Sequence, residues 1–417
     1  MELQTILNDR GYRKAIEKGW IKVEPQPEDV QFQPASLDLH ILGMFHSEPL
    51  TVIEPNNPLH RKNPERYPHV PYNMKTDNVG SVDELLIPSF SKNVVQVDTV
   101  HFPPVSLGSV FDSIFDPTNM PPYLKLNLNL LSLRHRLESM YFSTIFTTHD
   151  VVLRSSMGRL NLAAGDISRI SDVPFQEVND DGSPYGMGIF LINYSPYSIK
   201  FEKGDRISQM FTEVQQMALV PVKLVEAGIK LPGQLIKEVH DKGLFRVSPE
   251  LDVDDFGYIV LHAGDTAYRM KEPQNGQETI NFSERKNLEY ERVGIPEGGL
   301  VVEPFEYWAI QAAETLKLSE HIGINFVGFP LTPSYAFRSN FDFFDSFLGI
   351  CNAGWFDPGY SGVFLAHPKT LQRQAVIKRG DPIGWGRVYI FENGVERPYG
   401  SAQLGSRYQE ANSFALK

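Results

Sequence analysis

A single cysteine, Cys351, stands in the whole chain. One thiol can form neither an internal disulfide nor a Cys-based zinc site. Long apolar runs are also missing, so no segment is expected to span a membrane as a helix. The N-terminal stretch MELQTILNDRGYRK carries charge throughout and lacks the apolar centre of a secretion signal. Positive charge is short: 39 Lys and Arg stand against 51 Asp and Glu, a formal net charge of −12. Such a balance repels nucleic acid and argues against a protein that coats DNA or RNA. It leaves room for a small phosphorylated ligand held by a few local arginines. The expectation is a cytoplasmic protein with no membrane and no nucleic-acid partner.

Histidines are few and scattered. His135, His149, His262 and His367 stand singly, without the H-x-E or H-x-x-x-H spacing that pairs metal ligands. They read as surface or packing residues.

What is abundant is punctuation. With 32 Gly, 30 Pro, 27 Phe and 17 Tyr in 417 residues, many short strands joined by tight turns are expected rather than a helical bundle. The first 22 residues read as a helix, with Leu3, Ile6, Leu7, Tyr12, Ala15 and Ile16 at helical spacing and Gly19 ending the run. Residues 54–80, rich in Pro, Asn and charge, read as a loop or insertion. Strand-like runs lie at 84–88, 94–99 and 151–153, and the mixed stretch 126–147 has room for a short helix.

The chain also resembles itself. QPASLDLHIL (33–42), LRSSMGRL (153–160), IFLINYSP (189–196) and FEKGDRISQMF (201–211) run in that order in the first half. VSPELDV (247–253), FRSNFDFF (337–344), VFLAHP (363–368) and IKRGDPIGWG (377–386) follow in the second. Each half thus has a Pro-x-x-Leu-Asp-like strand, an Arg-Ser turn, an apolar strand and a basic-Gly-Asp turn. A tandem duplication follows, with units at 1–220 and 221–417 and a join near 215–245.

RSSMGR (154–159) suits an anion: hydroxyls and backbone N–H groups donate to oxygens, and guanidinium forks bind two oxygens at once. Its plainer reading is a surface turn at a helix start, with Ser as cap. Asp38 of QPASLD reads first as a turn aspartate capping its neighbours' N–H groups. In GWFDPGYSG (354–362), Pro358-Gly359 suits the centre of a type II turn. Asp357 there could polarise a water or hold a sugar hydroxyl, and Tyr360 could stack on a deoxyribose. The KGDRI and RGDPI stretches read as hairpin turns first.

Taken together, QPASLDL, RSSMGRL, GWFDPGYSG and the basic-Gly-Asp-x-Ile turns resemble the dUTPase and dCTP deaminase superfamily. The tandem arrangement resembles its double-length 2′-deoxycytidine 5′-triphosphate deaminases. That resemblance implies a mainly β fold, a duplicated dUTPase-like distorted β-barrel (jelly-roll-like) with a short N-terminal helix. It implies a deoxynucleoside triphosphate substrate (dCTP, with dUTP as the other candidate) carrying Mg²⁺, and no zinc. Arg154, Ser155 and Ser156 match the phosphate-gripping turn, and Ser155 and Arg159 match positions that organise deamination. Gln209, Asp357 and Tyr360 are the further candidate nucleotide contacts. Sites shared between subunits imply a homo-oligomer, dimer or trimer.

The implied reaction is attack of water on C4 of cytosine with loss of ammonia, in which a glutamate moves the proton. Here the chain departs from the pattern, with Asn193 where the glutamate is expected and Ala366 at the second-half position. Three readings stay open. Glu177, Asp180 or Asp181 supplies the acid from another loop; Asp357 activates water for dUTPase-like hydrolysis of the triphosphate; or the protein binds nucleotides without turnover. The second half has Arg338-Ser339 but Asn340 and Asp342 after them, with Phe343 and Phe344 in place of the second arginine. The stronger phosphate grip is therefore expected in the first half, with the DPGY turn lent from the second.

Overall fold

Strand-formers dominate because β-branched and aromatic residues alternate with polar ones between Gly and Pro turns. The computed structural model describes residues 5–49, 84–101, 105–106, 141–142, 146–164, 187–214, 226–327, 347–402 and 404. Residues 90, 155, 158–159, 161, 274–278, 284–288, 304–305, 352–354 and 371–373 within those ranges are excepted. The chain is mainly β, with two α-helices among the described residues, α1 (Asp9–Glu17) and α2 (Gly233–Asp241). Among the described strands no closed barrel is defined. The 54–80 stretch and residues 126–140 lie outside the described residues. Among the described residues no helix is long and apolar enough to cross a membrane.

The expected N-terminal helix is shorter than its apolar spacing suggested. Thr5–Leu7 is a strand, paired with Ala227–Lys230 and touching Arg206–Val214 at Ile6 opposite Glu213. Ile6 and Leu7 are fully buried there. Asn8 then caps α1, its Oδ1 accepting from Gly11 N at 2.8 Å. Tertiary burial of two apolar residues outweighs three residues of local helical preference.

The same unit recurs at Ala227–Lys230. A strand leads into the nine-residue α2, then to Gly243 with positive φ, the strand Phe245–Ser248 and a cis Ser248–Pro249 bond. The first copy runs through α1, Gly19 with positive φ, Lys22–Glu24 and a cis Glu24–Pro25 bond. KGWIKVEP (18–25) and KGLFRVSP (242–249) are therefore counterparts. This corrects the match of VSPELDV with QPASLDL.

Backbone bonds give the true partner of QPASLDL. Ile41 N–H donates to Asp205 O and Gly204 N–H to Ile41 O; Ala263 N–H donates to Asp381 O and Gly380 N–H to Ala263 O. Asp38 stands opposite Gln209, and Val260 opposite Trp385. The counterpart of 33–42 is thus 255–264. The KGD and RGD stretches are hairpin turns in equivalent places, each closed by its own aspartate (Asp205 Oδ2 from Glu202 N–H, Asp381 Oδ2 from Lys378 N–H).

Two cores fill the halves. One gathers Leu37, Leu39, Ile41, Val95, Leu191, Phe201 and Met210, and takes in Tyr268, Phe282 and Tyr307 from the second half. The other is built wholly of residues beyond 230, around Phe245, Leu261, Ile310, Phe326 and Phe364. A third, smaller cluster joins them: Ile6, Ala35 and Phe211 against Trp355, Tyr389, Phe391 and Val395. The candidate site lies beside this junction.

Candidate functional site

On the strand Ser36–Pro49, Leu37, Leu39 and Ile41 enter the first core, so Ser36, Asp38 and His40 fall on the other face. Asp38 is completely buried, and it is not the turn cap its sequence suggested. Its Oδ2 pairs with Arg154 and, at 3.2 Å, with Arg206 Nη1. A buried carboxylate needs such partners, because removing it from water costs several kcal/mol. Two guanidiniums thus converge on one carboxylate, with Glu28 acting on Arg206 and Asp357 on Arg154. About a quarter of each arginine side chain reaches solvent, 24% for Arg154 and 27% for Arg206.

Arg154 is placed by its neighbours. It follows the strand Phe146–Leu153, whose Leu153 faces Ser208, and its N–H donates to Ile207 O at 3.0 Å. The RSS turn is thereby fixed to the KGDRI hairpin. Ser156 is buried in the short helical turn that follows, where Met157 N–H returns to Arg154 O. Gln209, nearly buried, stands directly opposite Asp38. Beneath them Asp98 Oδ2 accepts from His40 N–H and from Gln31 Nε2, both at 2.8 Å, fixing the Asp38 strand.

From the second half comes the turn after the strand Trp355–Phe356. Tyr360 N–H donates to Asp357 O, and Gly359 has φ +92°, as a type II turn requires. Trp355 packs on Phe211 of the first half, ring centroids 5.1 Å apart. Asp357 is buried, and burial pushes its carboxyl up to about 7. The charge of Arg154, the Trp355 indole N–H and the Ala35 backbone N–H pull the other way, while Asp9 adds to the rise. Oδ1 of Asp357, Oδ1 of Asp38 and Oγ of Ser36 are buried without a hydrogen-bond partner among the described residues. Buried polar atoms in that condition mark a place for water or ligand.

Arg154, Asp38, Gln209 and Asp357 are thus brought together across the two halves. Tyr360 takes a different place from the one expected of a sugar-stacking ring. Its hydroxyl donates to Val363 O at 2.8 Å and its ring meets Phe356 edge-on in the second core. Asn193 is wholly occupied by the protein. Its Nδ2 donates to Pro88 O and Tyr197 O, each at 2.8 Å, and its Oδ1 accepts from Ser195 N–H and Oγ. It shapes the 193–197 turn and keeps no donor or acceptor for a substrate. Ala366 is buried opposite Ile310. Ser155, Arg159, Glu177, Asp180, Asp181 and the second-half stretch 337–344 lie outside the described residues.

No family model matches the chain, and no curated protein matches its sequence. Among the solved structures that match, 2′-deoxycytidine 5′-triphosphate deaminase from Agrobacterium tumefaciens aligns along 95% of this chain and 100% of its own, with TM-score 0.59 and 14% identity. The fold is dCTP deaminase-like.

Within that fold the two halves differ at the site. The register that places Val260 and Trp385 against Asp38 and Gln209 also places Pro382 against Arg206 and Tyr258 against Ser36. The second-half position therefore holds a small apolar cluster, Tyr258, Val260 and Trp385, all buried. Of the buried network the histidine and a carboxylate on its backbone N–H persist, His262 with Glu314 as His40 with Asp98. His262 N–H donates to Glu314 Oε2 at 2.9 Å and its Nδ1 meets Oε1 at 2.8 Å, and the Glu314 hydrogen bond raises its pKa against the opposing effect of burial. His367 meets the Tyr307 hydroxyl at 3.1 Å, so His262 and His367 are both held by protein partners.

Proposed function

We propose that the chain binds a Mg²⁺-carrying deoxynucleoside triphosphate at the junction of its halves and deaminates dCTP to dUTP and ammonia. The observation that carries this reading is the buried Asp357, set at the junction by Trp355 packed on Phe211 and within reach of the charge of Arg154, where burial raises its carboxyl well above the usual carboxylate range. A proton-transfer group works best when its pKa lies near the operating pH. As the water oxygen bonds to C4, its proton passes to the Asp357 carboxylate. The C4=N3 electron pair moves to N3. As the C4–N4 bond breaks, the proton on Asp357 leaves with the amine as ammonia, and the remaining water proton ends on N3, leaving a C4 carbonyl. The role expected of the missing glutamate is thus given to a residue of the other half. Mg²⁺ enters on the phosphates as part of the substrate.

One observation favours a second reading. Asp357 lies near the arginine expected to hold phosphate, which suits attack of water on phosphorus and release of pyrophosphate from dUTP. Purified protein with dCTP or dUTP and Mg²⁺, read for ammonia and pyrophosphate together, separates the two. Ammonia from dCTP is expected, falling about 10²-fold or more in Asp357→Asn. Pyrophosphate without ammonia would transfer the assignment to the second reading. Nucleotide binding with neither product would leave a non-catalytic binder.

A further inference from the structure

The turn that presents Asp357 is backed by a segment near the end of the chain, and that segment is fastened to the beginning. Asp9, at the start of α1, is fully buried. Its Oδ1 accepts from Arg10 N–H at 3.0 Å and Glu396 N–H at 3.2 Å, and its Oδ2 from Arg397 N–H at 3.0 Å. Asn8 and Arg10 donate to Gly394 O, and Arg10 also to Asn393 O. The Arg397 side chain, itself buried, donates to Asp29 Oδ2 at 2.8 Å and to the carbonyls of Asp29 and Phe32. One side of residues 393–397 is therefore held entirely by the first half.

The next two residues hold the second-half turn. Tyr399 N–H donates to Pro358 O at 2.7 Å. Pro398 lies so close to Gly359 that a Cβ there would come within 2.7 Å of it, and the Tyr399 and Tyr360 rings are 5.6 Å apart. As charged groups, Arg154 and Asp9 act on Asp357 and Glu396 on Asp9, whereas Arg10 and Arg397 meet Asp9 through their backbone N–H. Helix α1 and the Asp357 turn are thus linked through four consecutive residues, 396–399.

We propose that Asp9 is a positioning residue for the junction site, fastening residues 393–399 to the first half so that this segment sets the Asp357 carboxyl against Arg154 and Asp38. The inference rests on the reading of Asp357 given above, but it concerns geometry and is testable without turnover. In the full chain, hydrogen–deuterium exchange would be followed in peptides covering 391–399 and 355–361. In Asp9→Asn both are expected to exchange about tenfold faster, together, while strand Trp308–Leu318 is unchanged. The titration of Asp357, seen in tryptophan fluorescence and assigned by its loss in Asp357→Asn, should move to lower pH. Admitted water and the lost negative neighbour act in the same direction. If 355–361 keeps its protection while 391–399 loosens, or the titration does not move, Asp9 is only a structural tie and the proposal is overturned. Should Asp9→Asn not fold, Arg397→Lys tests the same fastening from its other anchor. Absence of product in the dCTP assay would remove the catalytic reading of Asp357 and leave these outcomes standing.

Discussion

At the scale of single residues, Asp357 carries a cost that pH exposes. Its carboxyl is raised from 3.8 to about 7 by burial, so the folded chain favours the protonated form. The stability this contributes is whole below the unfolded value and is lost as pH rises through the folded one. At about 1.4 kcal/mol for each pH unit between the two values, the ionised side chain costs on the order of a few kcal/mol. Asp357→Asn is therefore expected to gain on the wild type in urea denaturation at pH 8 and to show no such gain at pH 4. A difference that is the same at both pH values would count against it. Buried Asp9, also raised by burial, is common to both proteins and cancels in the comparison. Residue types announced this chemistry only in part. The DPG turn was readable from three letters, but nothing in the sequence places Asp357 beside Arg154, because that proximity is made by the packing of Trp355 on Phe211. Asn193 illustrates the converse. Compared with a family pattern it looks like a lost base, whereas Asn-x-Ser is also a signature for a side chain accepting from its own backbone two residues on.

Elements were legible where local chemistry decides them. The KGD and RGD hairpins, the type II turn and the β-rich character all follow from Gly, Pro and Asp at fixed offsets. What was not legible was the correct pairing of the repeats. Pro-x-x-Leu-Asp looks alike at 34–38 and Pro-x-Leu-Asp at 249–252, yet the first belongs to the strand beside Arg154 and the second follows the α2 unit. The better signal was KGWIKVEP against KGLFRVSP, whose Gly, Val and Pro stand at identical spacing. The turn glycines also differ in what surrounds them. Gly204 and Gly380 have positive φ and nothing within 4 Å of an added Cβ, whereas at Gly359 that atom meets Pro398 and the Tyr399 backbone at 2.7 and 3.0 Å. Gly204→Ala should cost roughly 1 kcal/mol from left-handed backbone alone. Gly359→Ala should cost about 1–3 kcal/mol more, since backbone must shift, and should also loosen residues 398–399. Denaturation midpoints of the two variants, compared in one buffer, check the ranking; equal losses would sink it.

For the whole molecule, the proposed site draws on both halves rather than repeating in each. The first half supplies Asp38, Arg154, Arg206 and Gln209; the second supplies Asp357 and the segment that holds its turn. At the second-half positions matching Asp38, Arg206 and Gln209 stand Val260, Pro382 and Trp385, which offer no charge, and the Tyr258–Val260–Trp385 cluster occupies the space; Arg338, the match of Arg154 by sequence, lies outside the described residues. A triphosphate moved there would lose the charge-assisted bonds, each worth about 1.5–3 kcal/mol, and would have to displace a buried indole. One nucleotide should therefore bind per chain. Isothermal titration of the full-length Asp357→Asn variant with dCTP and Mg²⁺, in which turnover is blocked, measures this directly. A stoichiometry of one is expected, and Arg154→Ala should weaken that single event by about tenfold or more. Two equivalent events per chain would mean that the second half binds through groups other than those matching the first, and the asymmetry drawn from Val260 and Trp385 would fall.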